Sequence, residues 1–129
     1  MANTATVLGT VPIGYASSGV GLKTSAVNVL IDTTGADLTV LTVDSDKYWA
    51  ILGISYVETD AHNLTIKSGS TTLVTYEMAA NSGLVHPMGN GILLTGIARG
   101  SNLVIQSSVA ISSMVFYVQQ FKELPLFGK

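Results

Sequence analysis

Cysteine is absent from this 129-residue chain, which removes disulfide frameworks, thiolate zinc sites, iron–sulfur ligation and cysteine nucleophiles in one step. Fixed charge is also scarce: Asp, Glu, Lys and Arg make up 11% of residues, against roughly 25% in an average soluble domain. The cations Lys23, Lys47, Lys67, Arg99, Lys122 and Lys129 form no run, and the formal net charge is −2. Nucleic-acid binders concentrate Lys and Arg on one face, so no nucleic-acid partner is expected. The segment 1–10 lacks the basic start and apolar block of a signal peptide, and Sec-type secretion is not expected. The uncharged stretch 100–121 is long enough to raise the question of a membrane span. Asn102, Gln106, Ser107, Ser108, Ser112 and Ser113 interrupt it, so no membrane partner is expected either.

No segment sustains the i, i+3, i+4 spacing of an amphipathic helix, whereas apolar alternation with glycine between the runs recurs along the chain. Val27, Val29 and Ile31 alternate with Asn28 and Leu30 before Asp32-Thr33-Thr34-Gly35. Further strands are predicted over 38–43, 47–58, 63–67, 71–78, 92–95, 103–105 and 111–121. In 47–58, Tyr48, Ala50, Leu52, Ile54 and Tyr56 are read on one face, with Trp49, Ile51, Gly53, Ser55 and Val57 on the other. Both faces are largely apolar, which places this strand centrally. Ser68-Gly69-Ser70 predicts a hairpin, and Asn90-Gly91 predicts another. About eight short strands at regular spacing give an all-β fold, a two-sheet antiparallel β-sandwich of jelly-roll-like type. An immunoglobulin-type sandwich is the alternative, but its Cys and Trp spacing is missing. The length suits one domain, read as a weakly patterned N-terminal arm over 1–23, a sandwich over 24–121 and a C-terminal tail over 122–129.

The remaining chemistry-bearing residues assemble into no motif. Asp44 and Asp46, with Asp60, offer oxygens to a hard cation, but a calcium loop needs more ligands at set spacing, and turn aspartates ordinarily cap their own backbone. His62 and His86 have no third ligand at metal spacing. No Gly-x-Ser-x-Gly elbow, Walker-type ending or dinucleotide fingerprint occurs. Glu58, Glu77 and Glu123 are the only glutamates, a thin basis for a glycosidase pair. No catalytic, cofactor or metal site is therefore expected, and the chain is read as a non-enzyme.

What remains is a surface rich in Ser and Thr. Such a surface, poor in charge, fits coverage by neighbouring chains; the other reading is that β-proteins of this composition are simply hydroxyl-rich. Candidate interface residues are Val115, Tyr117 and Phe121 on one face of the last strand, and Leu124, Leu126 and Phe127 in the tail around Pro125. Trp49 joins them as a core or interface aromatic.

The region from about Tyr48 to Val118 resembles the small jelly-roll virion proteins of tailed bacteriophages that decorate or cement the head or form part of a fibre. The resemblance is carried by Asn63-Leu64-Thr65-Ile66-Lys67-Ser68-Gly69-Ser70, by Val74-Thr75-Tyr76-Glu77-Met78, and by Asn102-Leu103-Val104-Ile105 with Val115-Phe116-Tyr117-Val118. It covers a little over half of the chain. It implies a structural protein without cofactor, commonly a homotrimer, bound to the major capsid protein or another virion protein at the head surface and assembled in the host cytoplasm. The alternative is a carbohydrate- or receptor-binding module of a fibre or tail.

Overall fold

A computed structural model describes residues 3–11, 24–87 and 91–121. All regular structure among them is β, in ten elements: β1 (Thr4–Val11), β2 (Thr24–Ile31), β3 (Leu38–Leu41), β4 (Tyr48–Ser55), β5 (His62–Ser68), β6 (Thr71–Met78), β7 (Val85–His86), β8 (Leu94–Thr95), β9 (Leu103–Ser107) and β10 (Ile111–Phe121). They form a six-stranded sheet in the order β1-β2-β10-β4-β7, with β8 also on β4, and a four-stranded sheet in the order β3-β9-β5-β6. Every pairing is antiparallel.

The winding follows from which strands pair across the sequence. β5 pairs β6 around the apex turn, β4 pairs β7 and β8, β3 pairs β9, and β2 pairs β10. These are four nested pairs of one long antiparallel ribbon, folded so that successive pairs fall alternately in the two sheets. The fold is therefore a jelly roll, with β1 added outside β2. At the apex Gly69 holds φ +60°, a conformation that glycine reaches without the Cβ clash other residues meet.

The core lies between the sheets and is built by alternation. Val27, Val29 and Ile31 of β2, Met114, Phe116 and Val118 of β10, Leu64 and Ile66 of β5, and Leu103 and Ile105 of β9 share one buried cluster. In β4 the alternation breaks. Tyr117 pairs Gly53 while Val118 pairs Ile51, leaving Leu52 as the extra residue of a bulge. Trp49 and Ile51 point into the core before it, and Ile54 and Tyr56 after it. Strict alternation over 47–58 thus misplaces Ile54 and Tyr56, because one inserted residue reverses the facing of everything beyond it. The expected central position of this strand holds, since β10 flanks it on one side and β7 and β8 on the other.

One further expectation is corrected. Thr4–Val11, assigned above to an N-terminal arm, is a full strand in register with β2. Asn3 pins its start: the Asn3 Oδ1 accepts from the Asp32 and Thr33 backbone N–H groups at 2.7 Å each. The turn expected at Asn90-Gly91 falls partly outside the described residues, since Asn90 is not among them. β7 and β8 both pair β4, at Ile54–Ser55 and at Ala50–Ile51, running in the same direction as two pieces of one interrupted edge strand.

Candidate functional site

The outer face of the six-stranded sheet is the first surface that stands out. None of its six strands contains Asp, Glu, Lys or Arg. The described charged residues sit in loops, as do Asp32, Asp44, Asp46, Lys47, Glu58, Asp60 and Arg99, or at the other sheet, as do Asp37, Lys67 and Glu77. One register row crosses five strands on this face: Thr6, Asn28, Val115, Ser55 and Val85. Four strand spacings make it about 19 Å wide. Val85 is 68% exposed and Val57, two residues beyond Ser55, is 67% exposed. Toward the other end of the same face Ala50, Leu52, Gln119 and Phe121 are buried.

The residues picked out from the sequence divide accordingly. Val115 and Tyr117 are half-buried on the outer face. Trp49 and Phe121 are not contact surface: Trp49 is 0% and Phe121 1% exposed within the single chain. Trp49 is enclosed by the sandwich core, and its indole Nε1 meets no hydrogen-bond acceptor among the described residues. Leu124, Leu126 and Phe127 lie outside the described residues, as does 12–23 of the proposed arm. Val57 went unnoticed in the sequence because it reads as an ordinary strand valine, and Val85 because no strand is predicted over 79–91.

The outer face of the four-stranded sheet is polar. A shallow groove of about 460 Å³ is lined by Ala61, His62, Asn63, Glu77, Met78, Ala79 and Ser108. It adjoins a recess of about 210 Å³ that shares Asn63 and Ser108 and adds Gly35, Thr65, Thr75, Gln106 and Ser107. Register explains the grouping, since Asn63 pairs Glu77 and Thr65 pairs both Thr75 and Gln106. The Thr65 and Thr75 hydroxyls are 3.1 Å apart. Asp37 accepts from Lys67 Nζ at 3.0 Å and from Gln106 Nε2 at 2.5 Å. The hydrogen bond from Lys67 is the main reason that the Asp37 carboxyl is held below its ordinary value, with desolvation opposing it and Gln106 assisting.

His62, at the groove's end, is buried and fully engaged. Its Nδ1 lies 2.8 Å from the Asp60 carbonyl, which only accepts, so Nδ1 carries the proton. Nε2 then accepts from the Tyr56 hydroxyl at 2.6 Å. Burial, and secondarily the charge of Glu58, pushes the Tyr56 hydroxyl up to about 12. The His86 Nε2 lies 2.9 Å from the Gly91 carbonyl. Asp44 pairs with Lys47 at 3.1 Å. Among the described residues no three His, Asp or Glu side chains come together in a way that would hold a metal ion.

Searches of protein-family models, of curated proteins and of solved structures found no match to this chain.

Proposed function

We propose that this protein is a structural, non-catalytic virion component that self-associates and seats on the major capsid protein or another virion protein at the head surface, cementing the shell. The observation that carries the reading is the outer face of the six-stranded sheet, whose strands contain no charged residue, with Val57 and Val85 open at one end of it and the Arg99 guanidinium confined to the other, over Tyr48. Packing the row from Thr6 to Val85 against another subunit buries no charged strand residue, so no desolvation cost of a fixed charge on these strands opposes association. A stable interface takes roughly 800 Å² per partner, to which seating on the shell and further contacts between copies contribute. The trimer and the phage head come from the resemblance over 48–118.

Multi-angle light scattering with a capsid-binding assay tests this. The wild-type chain is expected to be oligomeric at micromolar concentration and to bind capsids. Val57→Lys with Val85→Lys buries unpaired ammonium groups and is expected to weaken association roughly 100-fold or more, with the fold intact. A strict monomer at high micromolar concentration that ignores capsids overturns the proposal.

A further inference from the structure

We infer that the groove over β5, β6 and β9 is a binding site for a neutral, hydroxyl-rich ligand, a short glycan. This does not depend on the assembly reading, because the groove lies on the opposite sheet. A subunit seated through its six-stranded sheet would turn this groove outward.

The groups at the groove are of the kind that hydroxyls recognise, and several have unused capacity. The Asn63 side-chain amide and the Glu77 carboxylate, both exposed, make no hydrogen bond to a described residue. Gln106 donates through Nε2 to Asp37 and keeps its Oε1 as an acceptor. Ser108 Oγ accepts from the Asn63 backbone N–H at 2.9 Å, which leaves the hydroxyl proton to donate. Donors and acceptors are thus both on offer at the floor, and the Glu77 carboxylate, beside Asn63 on the neighbouring strand, can receive two sugar hydroxyls. Met78, Ala61 and Ala79 supply apolar wall beside Glu77. From Ala61 to Thr65 the floor runs about 13 Å along β5, long enough for a disaccharide. Together with its recess the groove falls within the size range of small-molecule sites.

Other ligand classes fit less well. An anion would find Glu77 facing it, and the nearby Lys67 ammonium is already bound to Asp37. A cation would find only one uncommitted carboxylate. An extended peptide cannot join the groove floor by strand pairing, since β5 already pairs β6 on one side and β9 on the other; pairing is open to it only along the outer edge of β6, beside the groove and not in it.

The test is a nuclear magnetic resonance titration of the full chain with four neutral probes: maltose, cellobiose, lactose and chitobiose. At least one is expected to give saturable shifts confined to the amides of Asn63, Thr65, Thr75, Glu77, Gln106 and Ser108, with a roughly millimolar Kd from so few hydrogen bonds. Asn63→Ala and Glu77→Ala each weaken that affinity about tenfold. Both positions are exposed, and an unchanged melting temperature shows that the variants fold. The Val57→Lys, Val85→Lys protein keeps the shifts, which separates this site from the assembly face. Absence of saturable shifts with all four sugars overturns the inference. So does an affinity unaltered in the Asn63→Ala, Glu77→Ala double variant, or tighter binding of sulfate than of any sugar.

Discussion

Gly83→Ala is the sharpest perturbation that the fold offers. A Cβ at Gly83 would stand 2.0 Å from the Tyr56 carbonyl oxygen, 2.8 Å from its carbon and 2.9 Å from Val57 Cα. All three are backbone atoms, so no side-chain rotation relieves the clash. Gly83 is not among the positive-φ residues, which makes the effect purely steric. Restoring ordinary contact at about 3.5 Å requires the two chains to part by about 1.5 Å. Three backbone hydrogen bonds span that gap: Tyr56 N–H to Leu84 at 3.0 Å, Glu58 N–H to Ser82 at 3.0 Å and Ser82 N–H to Glu58 at 3.1 Å. At about 1 kcal/mol each, plus disturbance of Tyr56 in the core, the loss comes to roughly 3–4 kcal/mol. Urea unfolding followed by circular dichroism, at one fixed protein concentration because association raises apparent stability, reads this directly. Gly9→Ala is the control: its Cβ meets nothing within 4 Å, and a change within about 0.5 kcal/mol is expected. A Gly83→Ala loss below about 0.5 kcal/mol would show that the segment around Gly83 is not held against Tyr56 and Val57, and would refute the reasoning.

Gly96→Ala would place a Cβ 2.8 Å from the Trp49 indole nitrogen; a cost of about 1–3 kcal/mol and a shifted emission from this single tryptophan are expected in denaturation followed by fluorescence. Tyr56 ionises at about 12 in the fold against 10.0 when free, so between those values the unfolded chain releases its proton first and stability falls as pH rises. Alkaline unfolding should show a loss approaching 2–3 kcal/mol, which Tyr56→Phe abolishes, at the cost of leaving His62 Nε2 without its donor. Asp37 titrates below its ordinary value of 3.8, so its contribution is present above that value and disappears as pH falls through the lowered one. Because the pair is exposed, Asp37→Asn should cost less than about 1 kcal/mol at neutral pH, and acid titration of the variant should lack this component.

Much of the molecule was legible from local pattern. Val27, Val29 and Ile31 alternate because a strand turns successive side chains to opposite faces, and Gly69 marks its turn because few other residues take positive φ. The bulge at Leu52 was not legible: nothing in Ala50-Ile51-Leu52-Gly53 announces an extra residue, which exists only relative to β10. The same holds for β7, two residues too short to show as a strand until β4 is seen to pair with it. At the groove, Asn63, Glu77 and Gln106 are ordinary polar residues until register sets them side by side.

The sequence by itself determined the all-β character, the central apolar strand, the apex hairpin and the scarcity of charge, since each depends on residue type and short spacing. Only the tertiary structure decided where that scarce charge lies. β2 meets β10, and β10 meets β4, across long stretches of chain, and these non-local pairings gather every uncharged strand of one sheet into a single face while leaving Lys67 and Glu77 on the other. Trp49 was drawn into the core and Phe121 was covered on the outer face, while Val57 and Val85 were left open to solvent.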